Sequence, residues 1–341
     1  MKKNLVRFGI LFFLTVVFLY FFLRGVEWKE VFGYLTDVKR EFFILVILLV
    51  PFHFVARAIR WEYLLKHEKK TKLFSRFAGL AIGSTVTFIF PGRLGELARP
   101  LYLAQKENMK TGFVIGTVVV ERVFDLFTMC TLLGLFLITR PFYSSYFQAK
   151  EEVYSNLQFW GSVAIIVASI LFLFILAFIF FREKTLAIFS FFLKPLPQKT
   201  SQKIIEFLEE FVKGLKFFHS AGNLLMYILL SFGVWLSIIF YYWIFLFAYN
   251  ISVPLFSLIP YTFLVMIGAS IPTPGMAGGF HVFSREGLVS LFNVNLNQAV
   301  AMTIVVHAIQ LVMTCLIGYV ILWKEGISLL QIKRLGEDVE S

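Results

Sequence analysis

The sequence contains little charge for its length of 341 residues. Asp, Glu, Lys and Arg make up 16% of the residues, whereas hydrophobic residues make up 59% and the mean hydropathy is +0.80. Soluble domains contain about 25% charged and about 45–50% apolar residues. The composition therefore excludes an ordinary soluble domain and indicates a polytopic membrane protein.

Cysteine and histidine are also scarce, with two and five residues respectively. Cys130 and Cys315 both fall in long apolar stretches, where a thiol stays uncharged, so we expect neither a disulfide framework nor a thiolate metal site. No glycine-rich loop ends in Lys-Ser or Lys-Thr, which argues against ATP-driven transport by this chain alone. We predict no metal and no cofactor.

Eight apolar stretches cover most of the chain. At 1.5 Å per residue, six are long enough to cross a hydrocarbon core about 30 Å thick, namely residues 5–23, 42–59, 113–139, 159–181, 224–246 and 299–322. Residues 73–90 and 255–271 are shorter or richer in small and polar side chains. We predict an all-α polytopic membrane protein with about six full spans and two re-entrant helical segments. Residues 1–330 would form one domain, and residues 331–341 a short cytoplasmic tail.

Basic residues predict the orientation. If both short stretches enter and leave the membrane on one side, most of the 32 Lys and Arg residues lie inside, as the positive-inside rule requires; eight full crossings give no such bias. We therefore expect a protein of the cytoplasmic membrane with both termini in the cytoplasm. The net charge of +11 would then face anionic lipid, and we expect no nucleic acid partner. The oligomeric state is not predicted.

The re-entrant arrangement makes residues 1–150 and 151–330 inverted copies of each other. Each half would contain a span, a polar amphipathic stretch, a second span, a re-entrant segment and a last span. The amphipathic stretches lie around residues 28–40 and 184–218. Inverted repeats with broken helices are typical of transporters, because unwound backbone at membrane depth is tolerated only where protein or water surrounds it.

The first re-entrant segment ends in a charged turn. Its notable residues are Pro91, Gly92, Arg93, Gly95, Glu96 and Arg99. The proline and glycines permit a sharp break, and the charged residues, at i, i+3 and i+6, predict a basic-acidic-basic face on a helix that begins near Leu94. Arginine and a helix N-terminus both suit a phosphate or carboxylate. The turn is thus either a dedicated headgroup site or an interfacial loop that contacts anionic lipid nonspecifically.

Three further charged residues, Glu121, Arg122 and Asp125, lie within the predicted span 113–139. A charge at the bilayer centre costs about 2.5–3.5 kcal/mol, so these side chains must face protein or water. Arg122 and Asp125 are neighbours at i, i+3, and the remaining negative charge favours a second basic partner, for which Arg57 is a candidate. The group is either an ion-pair network that locks helices together or a polar pathway.

The second re-entrant segment ends in another broken turn. Its prolines and glycines are Pro272, Pro274, Gly275, Gly278 and Gly279. His281 and Arg285 follow one helical turn apart, and His307 shares a face of the last span with Thr303 and Gln310. His281 is either a proton carrier or a hydrogen-bonded structural residue. For His307 we expect a role in helix packing. Arg60-Trp61 and Tyr241-Tyr242-Trp243, near the ends of apolar stretches, are predicted to be interfacial anchors.

Several motifs occur together in a fixed order: Arg60-Trp61, Pro91-Gly92-Arg93-Leu94-Gly95-Glu96 with Arg99, Glu121-Arg122 with Asp125, and Pro272-Thr273-Pro274-Gly275 with Gly278-Gly279. They resemble the lysylphosphatidylglycerol synthase transmembrane region, also called the flippase-like domain family, over nearly the whole chain. Members that carry a soluble aminoacyl-transferase domain make aminoacylated phosphatidylglycerol, and their membrane region is credited with moving that lipid between leaflets. The resemblance covers the membrane region alone. His281, after Phe280, and His307 stand where the family is expected to carry an acidic and a basic residue.

The resemblance implies translocation of an anionic phospholipid or lipid-linked molecule, with no catalytic residues. The headgroup pathway would consist of ten ionisable residues: Arg57, Arg93, Glu96, Arg99, Glu121, Arg122, Asp125, His281, Arg285 and His307. One alternative is an integral-membrane enzyme that modifies a lipid headgroup, with Glu121, Asp125 or His281 as general base. Another is an accessory subunit of a partner glycosyltransferase or aminoacyltransferase.

Overall fold

The computed structural model describes residues 2–139, 151–181 and 221–328, together with residues 142, 184–185, 189–191, 201–202, 204–205 and 208–209. This part of the chain is helical and contains no strand. Its principal helices are α1 (Lys2–Leu23), α2 (Trp28–Thr36), α3 (Arg40–Leu65), α4 (Leu73–Ile89), α5 (Gly95–Lys106), α6 (Thr111–Ile138), α7 (Glu151–Phe180), α8 (Ala221–Ala248), α9 (Leu258–Ser270), α10 (Gly279–Phe292) and α11 (Leu296–Glu325).

Four of these helices, α3, α7, α8 and α11, are long and apolar enough to cross a membrane. A fifth candidate is α1 with α2, which meet at a bend of 86°. α6 has 28 residues, but Glu121, Arg122 and Asp125 fall within every stretch of it long enough to cross. The prediction of an all-helical, multi-pass membrane protein is therefore confirmed, with four to five candidate spans, and the count of six remains a prediction.

The two short apolar stretches form helical hairpins. α4, with 17 residues, turns back into α5, and α9, with 13 residues, turns back into α10. We call them hairpin A and hairpin B. Glycines let the paired backbones touch: a Cβ on Gly83 would lie 2.7 Å from Arg99 Cβ, and a Cβ on Gly268 would lie 2.6 Å from the carbonyl oxygen of Gly279. At 1.5 Å per residue neither first helix reaches about 30 Å, as expected of segments that turn back.

The tips of the hairpins have the same backbone conformation. Each is a short 3₁₀ turn, Pro91–Arg93 in hairpin A and Pro274–Met276 in hairpin B. Their central glycines have φ values of 79° and 61°, and the next residue has φ of 57° in both tips. Glycine adopts this left-handed region freely, whereas the arginine and methionine that follow do so at a cost.

The tips also meet each other. Gly275, at the tip of hairpin B, lies so near hairpin A that a Cβ on it would be 3.2 Å from the carbonyl oxygen of Phe88. His307 Nε2 donates a hydrogen bond to the carbonyl oxygen of Gly275 at 2.9 Å, which holds this tip against α11. Two breaks in the helical ladder therefore lie together, partly covered by protein, and the carbonyl oxygen of Gly275 finds a side-chain partner there.

Other features recur in the two halves. α3 packs on α8, and hairpin A packs on α11 as hairpin B packs on α6. A left-handed Asn follows the returning helix of each hairpin, Asn108 with φ of 50° and Asn293 with φ of 53°. These correspondences are the ones expected of an inverted repeat, which we retain as a proposal.

Two predictions about interfacial residues are wrong. α3 continues to Leu65, so Arg60 and Trp61 lie inside a helix and are fully buried instead of anchoring its end. Tyr241 and Tyr242 are also buried, because this face of α8 packs inside the protein. Trp243 is half-buried and donates from Nε1 to the carbonyl oxygen of Val253 at 2.8 Å. Of the two amphipathic stretches, the first forms α2, whereas most of residues 184–218 and the tail 331–341 lie outside the described residues.

Candidate functional site

Eight charged residues form one connected ion-pair network, which we call the arginine cluster. Its members are Arg57, Arg60, Arg93, Glu96, Arg99, Glu121, Arg122 and Asp125. They come from α3, the tip of hairpin A, α5 and α6. Five arginines face three carboxylates, so the cluster has a formal surplus of two positive charges.

Glu121 is the centre of the cluster and is fully buried. Arg99 donates to both of its oxygens, from Nη1 to Oε1 at 3.0 Å and from Nη2 to Oε2 at 2.5 Å. Arg57 Nη2 donates to Oε1 at 2.9 Å, and Arg60 Nη2 lies 3.1 Å from the same oxygen. The predicted partner Arg57 is thus confirmed, and two more guanidinium groups share the carboxylate.

Asp125, one turn further along α6, connects three helices. Arg60 Nη1 donates to its Oδ1 at 2.6 Å from α3, and Trp235 Nε1 donates to the same oxygen at 3.1 Å from α8. Arg122 Nη1 lies 3.4 Å from Oδ2, the predicted i, i+3 pair. Both oxygens of this carboxylate are therefore occupied.

The outer edge of the cluster is less tightly paired. Arg122 Nη2 lies 3.0 Å from Glu96 Oε2, whereas Arg93 Nη2 lies 4.0 Å from Glu96 Oε1, too far for a hydrogen bond. Arg93 Nε is buried without a hydrogen-bond partner. Arg93, at the tip of hairpin A, therefore has the weakest internal pairing of the five arginines.

Aromatic side chains hold the arginines in place. The guanidinium of Arg99 stacks 3.9 Å from the ring centre of Trp61, whose Nε1 donates to Thr117 Oγ1 at 2.9 Å. Tyr227 lies beneath Arg60, with its ring centre 5.7 Å from the guanidinium carbon. Sequence reasoning missed the inward role of Arg60 and Trp61. The helical spacing of Arg57, Arg60 and Trp61, at i, i+3 and i+4, was the signal that could have placed them on one face.

A cavity of about 290 Å³ opens beside the cluster, between the two hairpin tips. Four of the five arginines line it with Glu96, and Arg60 does not. The opposite walls carry apolar and uncharged polar side chains from α3, α4, α8, α11 and the tip of hairpin B: Leu49, Val50, His53, Phe54, Leu80, Ser84, Thr87, Phe88, Ser237, Ile238, Tyr241, Tyr242, Met276, Gln310 and Thr314. The space thus has one cationic end and a largely uncharged remainder.

The ionisable residues of the second turn lie apart from this cavity. Arg285 Nη1 donates to the main chain at the end of α1, reaching the carbonyl oxygen of Phe22 at 2.8 Å. The rings of His281 and His307 are 4.6 Å apart, behind the tip of hairpin B. The structure therefore brings together the six predicted residues of the first half and Arg57, but it places these three in contacts that hold hairpin B. Within the described residues, no group of three or more His, Cys, Asp or Glu side chains is placed to hold a metal ion.

Comparison with known proteins agrees with the resemblance carried by the motifs. The profile of the lysylphosphatidylglycerol synthase TM region matches residues 5–318. The UPF0104 membrane protein MJ1595 of Methanocaldococcus jannaschii is 24% identical over 334 residues, which cover 94% of this chain and 95% of that protein. The UPF0104 membrane protein MJ1078 of the same organism is 29% identical over 153 residues, covering 44% of this chain and 55% of that protein. No solved structure matches. The chain belongs to the lysylphosphatidylglycerol synthase TM region family.

Proposed function

We propose that the protein moves a phospholipid or lipid-linked molecule with a polar headgroup across the cytoplasmic membrane. The observation that carries the proposal is the cavity between the hairpin tips, with its arginine-lined end and its apolar walls. Family membership associates the chain with lipid handling. Both termini are proposed to lie on the cytoplasmic side.

The side chains that line the cavity favour an amphiphilic ligand. Arginine forks can donate two parallel hydrogen bonds to the oxygens of a phosphate, and Arg57, Arg93, Arg99 and Arg122 converge on one end of the space. Phe54, beside them, offers apolar surface for the part of the lipid next to the headgroup. A volume of about 290 Å³ holds a headgroup but not its acyl chains, which would extend into the bilayer.

The two hairpins favour movement of that ligand between the leaflets. The cavity lies where broken helices from the two halves meet, and each tip contributes a lining residue, Arg93 or Met276. In transporters built from inverted repeats, rocking of one half against the other exposes such a site to each side in turn. The matching tip conformations support the same mechanism here.

The contacts of the carboxylates favour transport over the alternative of an enzyme. A general base needs a free acceptor oxygen within reach of the substrate. Both oxygens of Glu121 and both oxygens of Asp125 are already within 3.4 Å of arginine nitrogens. These residues are better suited to holding arginines than to removing a proton. A partner transferase that supplies the lipid remains compatible with this role.

Reconstituted vesicles test the proposal. Protein is incorporated into phosphatidylcholine vesicles with a trace of tail-labelled phospholipid, and dithionite quenching reports how much label crosses from the inner leaflet. We expect protein-dependent transfer that Arg93→Ala slows at least tenfold, because this side chain contacts the cavity. Arg24→Ala removes the same charge from an exposed turn and serves as the matched control.

Two results would contradict the proposal. One is the same rate of transfer in vesicles with and without protein, for lipids of every headgroup charge. The other is an equal rate for Arg93→Ala and the parent protein at matched amounts. Product analysis of the same vesicles by mass spectrometry decides the alternative, since an enzyme would leave a modified headgroup.

A further inference from the structure

The arginine cluster contains more positive charge than its own carboxylates neutralise. Glu96, Glu121 and Asp125 offset three of the five arginines, and no other carboxylate of the described residues joins the network. Five of the eight side chains are at most 15% exposed, and two surplus positive charges beside them are unfavourable unless an anion accompanies them. This inference rests on the proposed function, because it concerns what the same cavity binds.

The surplus charge lies on the side of the cluster that faces the cavity. Arg60 is fully buried, does not line the space and has a carboxylate on each side. Among the described residues, the carboxylate paired with Arg93 is that of Glu96, at 4.0 Å, and Arg93 Nε is buried without a hydrogen-bond partner. Arg57 contacts Glu121 through one nitrogen while its side chain remains 15% exposed. Arg93 and Arg57 both line the cavity, so a ligand there would meet guanidinium groups that the carboxylates of the cluster pair only in part. Arg60 Nε and Nη2 also lack hydrogen-bond partners, but Arg60 does not line the cavity.

We propose that the site selects a lipid whose headgroup ends in a phosphate monoester or pyrophosphate carrying two negative charges. A terminal phosphate monoester has a charge of about −1.5 to −2 at pH 7, which neutralises the surplus. A phosphodiester headgroup with one negative charge leaves one arginine uncompensated. An aminoacylated headgroup, which adds an ammonium group, increases the imbalance.

Binding measurements separate these charge classes. The purified full-length chain in mild detergent is titrated at pH 8 with dioctanoyl phosphatidic acid, dioctanoyl phosphatidylglycerol and glycerol 3-phosphate, and affinity is measured by calorimetry. Phosphatidic acid carries one more negative charge than phosphatidylglycerol. If that charge lies about 10 Å from a surplus positive charge, at an effective dielectric constant of about 20, we expect phosphatidic acid to bind on the order of tenfold more tightly. Glycerol 3-phosphate has the same phosphate group without chains, and we expect it to bind at least tenfold more weakly than phosphatidic acid.

Charge variants test whether the surplus is the cause. Arg93→Gln removes one surplus charge, and we expect the preference for phosphatidic acid to fall about tenfold, towards equal binding. Arg24→Gln, outside the cavity, should leave the preference as it is. Equal affinity of the parent for both lipids, or an equal loss in both variants, overturns the inference. Equal binding of glycerol 3-phosphate and phosphatidic acid overturns the lipid assignment and points to a free phosphate site.

The outcomes for the two proposals are separable. Vesicle transfer of phosphatidylglycerol and phosphatidic acid at equal rates, with equal affinities, keeps the translocation proposal and contradicts the charge selection. Selective binding of phosphatidic acid without transfer of any lipid contradicts translocation and keeps the charge selection.

Discussion

Replacement of Glu121 by glutamine tests how the arginine cluster contributes to stability. The side chain keeps its shape but loses the negative charge that three arginines share at distances between 2.5 and 3.1 Å. The surplus of positive charge then rises by one in a buried site, and Arg99 loses its bidentate partner. We therefore expect Glu121→Gln to be among the most destabilising conservative changes in the chain.

The expected loss in the free energy of unfolding is the difference between two opposing contributions. One ion pair at about 4 Å and an effective dielectric constant of about 20 contributes about 4 kcal/mol, so three give about 12 kcal/mol in gross interaction. Removing the charge also removes its desolvation penalty, which is several kcal/mol. Mutations that break buried pairs lower stability by about 3–5 kcal/mol, and we expect a loss in this range.

Unfolding by sodium dodecyl sulfate in mixed micelles, followed by tryptophan fluorescence, measures this loss. Glu41→Gln, at an exposed position in the first turn of α3, is the matched control and should change the free energy of unfolding by less than about 0.5 kcal/mol. Glu96→Gln, with a side chain 30% exposed, should fall between the two at about 1 kcal/mol. A loss below about 1 kcal/mol for Glu121→Gln would refute the description of this residue as the centre of the cluster.

Three further predictions concern the hairpins. Gly95→Ala should prevent hairpin A from closing, because the new Cβ would overlap the main chain of Gly83. Gly134→Ala places a Cβ in open space, so in the same unfolding titration its free energy of unfolding should be unchanged or slightly higher. Cysteines placed at Asn108 and Asn293, in a background without the native cysteines, should react with an impermeant maleimide from the cytoplasmic and the external side respectively; labelling of both from one side contradicts the inverted topology. Arg285→Met should lower the free energy of unfolding by about 3 kcal/mol through loss of charged hydrogen bonds to α1, and a change near zero would contradict that contact.

Much of the fold could be predicted from the sequence because bilayer physics constrains it closely. Long apolar stretches can only be helices in lipid, so the helices appeared in the expected places and extend a few residues beyond the apolar cores, as α3 does. The hairpins could be predicted because proline and glycine disrupt a helix locally. The helix after the first break begins at Gly95, next to the expected start near Leu94, and the helix after the second break begins at Gly279, just before His281.

The partners of the charged residues could not be predicted in the same way. Helical spacing identifies neighbours within one helix, as for Arg122 and Asp125, but Arg99 and Glu121 come from different helices, and their pairing depends on how those helices pack. Arg60 shows the difficulty most clearly. An Arg-Trp pair near the end of an apolar stretch has the composition of an interfacial anchor. Only the packing of α3 against α8 on the Arg60 side, and against α4, α5 and α6 on the Trp61 side, shows that the pair is buried.

The sequence left open whether the buried charges lock the helices together or form a polar pathway, and the geometry indicates that different residues do each. Arg60 and Asp125 do not line the cavity, and their contacts connect α3, α6 and α8. Arg93 and Arg57 line the cavity; Arg93 reaches Glu96 only at 4.0 Å, and Arg57 contacts Glu121 through one nitrogen. A network in which every charge were matched internally would hold the helices equally well but would have no reason to attract a ligand. The unmatched arginines are therefore the feature that connects the stability of the bundle to the binding of an anionic headgroup.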